Sequence, residues 1–429
     1  MKDTLNIGIL GLGVVGSGTV TVLNQNRAQI EQKIGAKVNV RRIAVRDLDK
    51  KRAVQVDRKL LTSNPIDILD DPEIDIVCEL IGGVSPAREY VLRALRNGKH
   101  VVSANKELIA KEGHQIMEEA DRRRLDFQFE GAVGGGIPII QPMRNALSGN
   151  RVLEMMGIVN GTTNYILTRM TREGADFEPT LREAQAHGYA EADPTSDVGG
   201  FDAQYKTAIL SSIAFNCRVH VSDVYVEGIT HITKRDIECA RELGYVIKLL
   251  GIAVRVGDDS MQVRVHPALL PFTHPLASTN DVYNAIYVRG DAVGDVMFYG
   301  RGAGMMPTGS AVVGDIVDVG RNIRAGATGR VLTSCFEDRT MLPMSETETK
   351  YYLRMLVGDK PRVLASIAGV LGDHDVSIES VVQKMAANEE AEIVWVTHRV
   401  KESNMRSALE GIAALPSVSH VENWLRVEE

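Results

Sequence analysis

Close to its amino terminus the chain reads Asn6-Ile7-Gly8-Ile9-Leu10-Gly11-Leu12-Gly13-Val14-Val15-Gly16. The run up to Leu10 is short and apolar, as a buried strand is, and the apolar spacing through Val20 and Leu23 is that of a helix. Between them the glycines fall at G-x-G-x-x-G. In such a strand-turn-helix Gly11 makes the tight turn, Gly13 lets the backbone approach a pyrophosphate, and Gly16 lets helix and strand pack. Leu12, Val14 and Val15 complete the turn, and the helix start offers N–H groups to a phosphate. A tight turn in another α/β protein can carry the same glycines; the strand before and the helix behind favour a dinucleotide cradle.

Outward from this stretch, residues 6–10, 38–45, 74–80, 100–103 and 126–129 read as strands. Residues 86–98 carry Tyr90, Val91, Ala94 and Leu95 at helical spacing, with Gly98 where a helix would stop. This alternation predicts a parallel sheet wrapped by helices, a Rossmann-type α/β domain over residues 1–133. A glycine-rich turn at 131–138 leads into longer segments, among them 154–159, 163–171 and 201–213, read as a mixed α+β substrate domain over residues 134–304. The glycine-dense stretch 300–329, with a helical pattern over 311–319, predicts a return to the first domain carried by residues 305–340. Residues 342–350, acidic and rich in threonine, read as a linker. Then come a strand (351–357), a helix (362–371), two strands (376–385 and 392–398), a helix (402–414) and a strand (418–427). This βαββαβ order is a ferredoxin-like module, spanning residues 349–429.

A chain of 429 residues is too long for one compact core, so two or three domains are expected. The net charge of -7, with cations spread among the acids, gives no basic stripe for nucleic acid and no polybasic patch for a membrane. Small metabolites are the expected partners. Cys78, Cys217, Cys239 and Cys335 lie far apart with no C-x-x-C pair, against a disulfide framework or zinc-finger spacing and in keeping with a reducing cytosol. Glycines and Asn6 interrupt the apolar stretch 5–22, so it does not read as a signal peptide, and no other segment reads as a membrane span. The expected location is cytoplasmic.

After its second strand an NAD-preferring site carries an acid for the ribose 2′-hydroxyl, but here Ala44-Val45 runs into Arg46, which suits a 2′-phosphate. Lys50, Lys51 and Arg52 lean the same way or form a solvated helix start, while Asp47 keeps NAD open. The reading is NADP(H), with NAD(H) the alternative. Ligands of open α/β sheets lie beyond the carboxyl ends of the strands, where Ile81-Gly82-Gly83 and Ala104-Asn105-Lys106 stand. Lys106 is either a site lysine or a surface cation. A denser signal is Gly188-Tyr-Ala-Glu191-Ala-Asp193-Pro-Thr-Ser-Asp197-Val-Gly-Gly-Phe-Asp202-Ala-Gln-Tyr-Lys206, in which four carboxylates approach one lysine. Asp202 and Lys206 share a helix face; an ordinary i,i+4 pair is worth about 0.2–0.5 kcal/mol. Spaced acids also suit a divalent metal loop. Neither alternative explains Lys106.

Along essentially its whole length the chain resembles the homoserine dehydrogenases, in their longer, regulated bacterial form. The motifs that carry the resemblance are residues 11–16, Ser103-Ala-Asn-Lys106-Glu, Glu130-Gly-Ala-Val133-Gly-Gly-Gly-Ile137-Pro, Asn160-Gly-Thr-Thr-Asn-Tyr165-Ile, the run 191–206 and Gly300-Arg-Gly302-Ala-Gly304. The resemblance implies reduction of L-aspartate 4-semialdehyde to L-homoserine with NAD(P)H, on the branch towards threonine, methionine and isoleucine. It makes Lys206 the acid/base and sets Lys106 where cofactor and substrate meet. Glu191 and Asp202 become the partners of the substrate ammonium group, with Asp197 in support. It also implies a monovalent cation, usually sodium, held largely by backbone oxygens at Glu130, Val133, Gly135 and Ile137, a turn that otherwise reads as a hinge. Gly188 and the 302–304 loop with Gly304 match backbone contacts to the cofactor. A homodimer through the substrate domain is implied, or a homotetramer if the C-terminal modules also pair.

The βαββαβ tail resembles an ACT domain, a sensor of small ligands for which threonine is the usual effector in this family. Its matching stretch runs Gly358-Asp-Lys-Pro361-Arg-Val-Leu364-Ala and on through Gly369 to Ile378. Arg362 and Asp375 stand where glycine, or glycine and asparagine, are common. Asp tolerates a left-handed backbone, whereas a missing glycine at a ligand-contacting turn blocks close approach. A purely dimerising tail is the alternative. Two other functions differ in class. An acylating or phosphorylating semialdehyde enzyme needs a cysteine nucleophile in a poised loop, and none of the four cysteines has that setting. A non-catalytic sensor has no use for the carboxylate–lysine run.

Overall fold

The computed structural model describes residues 2–330, 335–385 and 390–429. The chain forms two compact units, one of residues 1–155, 205–223 and 284–338 and one of residues 156–204, 224–283 and 339–429. In the first, β1 (Thr4–Leu10), β2 (Lys37–Ala44), β3 (Leu61–Thr62), β4 (Ile76–Glu79), β5 (His100–Ser103) and β6 (Phe127–Gln128) make a parallel sheet in the order β3-β2-β1-β4-β5-β6. β1 is buried from Leu5 onward, which is why it reads as an unbroken apolar run. Register sets the edge that matters: Leu10 pairs with Ala44 on one side and Glu79 on the other, and Glu79 with Ser103. The residues that follow this row, led by Arg46, Gly11, Gly82 and Lys106, therefore share one rim. The strand order reverses between β1 and β4, the crevice where open sheets of this kind take ligands.

Helix Val14–Gln25 crosses helix Met305–Ala325 with backbones almost touching: a Cβ on Gly18 would lie 1.8 Å from the Met305 carbonyl oxygen, and one on Gly309 2.5 Å from the Gly18 carbonyl carbon. The later helix is also pinned by Asp126, whose carboxylate accepts from Asn322 Nδ2 (3.0 Å) and Gly329 N (2.8 Å). Residues 331–334 of the expected return lie outside the described residues.

In the second unit β7 (Tyr245–Val256) and β8 (Ser260–Pro271) form a long antiparallel hairpin. β9 (Glu348–Gly358), β10 (Ile378–Met385), β11 (Glu390–Thr397) and β12 (Val418–Val427), with helices Val363–Asp373 and Glu402–Ala413, build the βαββαβ module in the order β12-β9-β11-β10. Tyr351, Leu353, Met355, Ile367, Trp395 and Met405 fill the core under its helices. Two expectations change here. The stretch 342–350 is not wholly a linker, since β9 begins at Glu348. The module also does not stand apart from the segment before it: β12 pairs in parallel with β8, Arg426 opposite Ala268 and Val427 opposite Leu269. The other face of the module's sheet meets helix Lys234–Glu242, where Arg354 Nε donates to Asp236 Oδ1 (2.8 Å) and Arg235 Nε to the Glu392 carboxylate (3.0 Å). Arg362 and Asp375 both adopt left-handed backbone, at φ 76° and 58°.

None of the four cysteines is in a disulfide. Among the described residues no helix is long and apolar enough to cross a membrane.

Candidate active site

In the first unit the rim opens into a cleft of about 840 Å³ lined by Gly11, Gly13, Ser17, Arg46, Gly82 and Met305, among others. Gly11 holds φ 98° and donates its N–H to the Ala44 carbonyl (2.9 Å), and a Cβ on Gly16 would lie 2.3 Å from the Gly11 carbonyl oxygen. Leu12 and Val15 turn into the apolar core, and Val14 is exposed. Gly13 is the N-cap of helix Val14–Gln25, no side chain caps it, and a Cβ there would meet nothing within 4 Å. Unencumbered amides at a helix start with open space in front are the donor set a pyrophosphate needs. Beside them, the Asp47 carboxylate is taken up by its own loop, accepting from Asp49 N (2.9 Å) and Lys50 N (3.2 Å). Arg46, Lys50, Lys51 and Arg52 line the same cleft.

A group that the sequence reading did not single out ties two strand ends together. Glu79, the last residue of β4 and fully buried, accepts through Oε1 from Ile81 N (3.0 Å) and Asn105 Nδ2 (3.3 Å), and through Oε2 from Ser103 Oγ (2.7 Å). Burial pushes its carboxyl above the usual range, against the pull of these donors. Asn105 also donates to Gly83 O (2.6 Å) and caps helix Lys106–Arg123 by accepting from Leu108 N (3.2 Å). Gly82 and half-buried Lys106 thus stand in two loops stitched through one carboxylate. The only signal for it in the sequence is an acid closing an apolar run.

The glycine-rich turn lies in the same unit. The Glu130 carboxylate accepts from Ile139 N (2.6 Å), Ile140 N (2.8 Å) and Gln141 N (2.7 Å), so it anchors the backbone that follows. Among the described residues, no hydrogen bond reaches the carbonyls of Val133, Gly135 or Ile137. No three His, Cys, Asp or Glu side chains among them are grouped as a metal site. Gly304 is the N-cap of helix Met305–Ala325.

In the second unit Asn160 joins two of the expected acids. It caps helix Gly161–Glu173, its Oδ1 accepting from Thr163 N (2.8 Å), while its Nδ2 donates to Asp197 Oδ1 (2.7 Å) and to buried Asp202 Oδ2 (2.9 Å). Lys206, which belongs to the first unit, follows Asp202 by one turn along the continuous helix Phe201–Ala214 and is buried at 9 % exposure. Glu191 is not part of this cluster: it lies exposed in the loop after Gly188, which has φ 73°. That loop is tied to helix Gly161–Glu173 by Thr162 Oγ1, which donates to Tyr189 O (2.6 Å). Behind the same helix, buried Lys248 donates to Asn164 Oδ1 (3.0 Å) and Thr279 O (2.6 Å). Burial lowers its ammonium pKa to about 7.

Known families account for most of the chain. The model described as homoserine dehydrogenase, NAD binding domain, matches residues 11–130, and that described as homoserine dehydrogenase matches residues 138–317. The chain belongs to the homoserine dehydrogenase family. It is 47% identical to the homoserine dehydrogenase of Synechocystis over 99% of both chains, and 43% identical to that of Bacillus subtilis over 99% of this chain and 98% of the relative. A solved homoserine dehydrogenase from Thiobacillus denitrificans superposes with a TM-score of 0.94 at 46% identity, covering 99% of this chain and 98% of the other. A hyperthermophilic archaeal homoserine dehydrogenase in complex with NADPH matches 74% of this chain and 97% of its own length, at a TM-score of 0.62 and 26% identity. As a homoserine dehydrogenase this chain is an NAD(P)-dependent oxidoreductase. The expected Rossmann-type sheet is present, within the stretch that matches the NAD binding domain.

Proposed function

We propose that this homoserine dehydrogenase interconverts L-aspartate 4-semialdehyde and L-homoserine, in the biosynthesis of threonine, methionine and isoleucine, with Lys206 as acid/base. The observation that carries the reading is Asn160 holding Asp197 and Asp202 together one turn ahead of Lys206. An amino-acid substrate presents an ammonium group, and a buried carboxylate already oriented by an amide is a matched partner for it. Asp202 takes that role, with Asp197 in support and Glu191, exposed on the loop after Gly188, as the second carboxylate. NADPH supplies the hydride when bound. Lys206 delivers a proton to the carbonyl oxygen as charge develops there, and withdraws it in the reverse direction. Lys106, at its helix start, orients the carbonyl.

NADP(H) over NAD(H) is supported by Arg46 in the cleft beside an Asp47 that is engaged by backbone amides, leaving cations to face a 2′-phosphate. A sodium ion at the 133–137 turn is supported by the three carbonyls without internal donors; it would steady the loop and take no part in proton transfer. We read the βαββαβ module as an ACT domain responding to threonine, the first unit's sheet as the cofactor domain, and the chain as a homo-oligomer of the cytoplasm.

The test is initial rates with aspartate semialdehyde and NADPH or NADH, with and without threonine, for the parent and Lys206→Ala. Turnover by the parent, at least about a hundredfold lower in Lys206→Ala, is the expected result. No turnover by the parent overturns the substrate reading, undiminished turnover by the variant removes Lys206 as the acid, and equal rates with both cofactors remove the NADP preference.

A further inference from the structure

Arg426 lies on the last strand, more than two hundred residues from the acids of the substrate cluster, and is 2% exposed. Its guanidinium is shared by two carboxylates. Nε donates to Glu402 Oε2 (2.7 Å) and Nη2 to Glu402 Oε1 (2.8 Å), on the module's second helix. Nη1 donates to Glu227 Oε2 (2.7 Å) and Nη2 to Glu227 Oε1 (3.2 Å). Glu227 has its own backbone fixed to β8, since its N–H donates to Val265 O (2.8 Å).

The residues after Glu227 press directly on the substrate cluster. A Cβ on Gly228 would lie 2.2 Å from Val198 O and 2.7 Å from Gly199 Cα, and Ile229 N donates to Val198 O (2.8 Å). Gly200, at φ 84°, is approached from the other direction, less closely, a Cβ there falling 3.0 Å from Val226 Cγ2 and 3.1 Å from Glu227 O. Gly200 N donates to Asp197 O (3.0 Å), and Asp202 is the second residue of the next helix. At Gly228 the contact with Val198 and Gly199 is backbone on backbone, so a shift of Glu227 is passed on to 198–200 as backbone displacement.

We infer that Arg426 is a positioning residue for the substrate's ammonium site, acting through Glu227. The inference rests on the reading of Asp202 and Asp197 as substrate partners. An ion triad whose Arg426 and Glu402 are buried and whose Glu227 is part-exposed adds little net stability by itself, so holding a shape is the use that fits it. Because the guanidinium also holds the module's helix, the position of the ammonium site and the arrangement of the module are set by the same group.

The experiment measures homoserine and NADP⁺ kinetics on full-length Glu227→Gln, Arg426→Lys and Asp202→Asn beside the parent, with folding checked by circular dichroism. Glu227→Gln keeps shape and loses charge; it decides alone if the arginine variant does not fold. The expected result for Glu227→Gln is a homoserine KM about tenfold above the parent, with kcat and the NADP⁺ KM within about twofold. Arg426→Lys, which keeps the charge but cannot span both carboxylates, is expected to shift the same constant by less than tenfold. A purely structural role would change folded yield and leave this split unmoved. A raised homoserine KM in Asp202→Asn with a parental one in folded Glu227→Gln overturns the inference alone. A parental homoserine KM in Asp202→Asn overturns the substrate reading and the inference with it.

Discussion

A lysine in the middle of a strand is an expensive choice, and Lys248 shows what it does. It is 1% exposed and held by acceptors on two segments, one of them the helix that Asn160 caps. Its folded pKa of about 7 lies below the usual 10.5, so between those values the unfolded chain binds a proton that the folded chain does not. Stability from this residue therefore rises with pH across that window, with a slope of up to about 1.4 kcal/mol per pH unit. Lys248→Met removes the slope. Denaturation midpoints at pH 7 and pH 9 are expected to rise more in the parent than in the variant, and parallel changes would refute the linkage. None of this was legible beforehand: the sequence reading assigns no strand to residues 245–256, and a lysine inside an apolar run does not show which acceptors it will meet. The proposed substrate acids, by contrast, stood close together in the sequence, and what was hidden was Asn160, a capping residue whose second task depends on a loop thirty-seven residues away.

At the scale of elements, the carboxyl ends of β4 and β5 are joined by Glu79 rather than by apolar packing. Glu79→Gln keeps the volume but turns one accepting oxygen into a donor facing donors, so either the 80–83 loop or the 103–106 loop must move. A hydrogen bond to a charged group is worth about 1.5–3 kcal/mol, and kcat/KM for NADPH is expected to fall by about tenfold or more with the circular dichroism spectrum preserved. An unchanged kcat/KM would show that the loops hold themselves. The strands of this sheet were readable to within a few residues, since burial on both faces writes an apolar run. The two-residue β3 left no such mark, and the expected strand at 74–80 narrows to Ile76–Glu79 because Leu80 already belongs to the loop.

Over the whole molecule, the βαββαβ order was plain from periodicity, while the partner of its last strand was not. Register between β12 and β8 is a long-range matter, and Arg426 reads in isolation as one more surface cation. The consequence is testable by truncation. A chain ending before Glu348 would strand Asp236, now wholly buried against Arg354, and Glu227 without its arginine. It would also leave the Ala268–Leu269 stretch of β8 without its partner strand. Such a chain is expected to give little soluble, folded protein rather than an unregulated enzyme; a well-folded product would show that the second unit closes without the module.

The pairing of Ala268 and Leu269 with Arg426 and Val427 also bears on the order in which the protein is made. Domains ordinarily fold as they emerge from the ribosome, the amino-terminal ones first. Here Ala268 and Leu269 of β8 wait for a neighbour, Arg426 and Val427, that comes much later in the chain and is made after them. Until β12 has been made, the Ala268–Leu269 stretch of β8 is a short open edge that a chaperone or another nascent chain can reach.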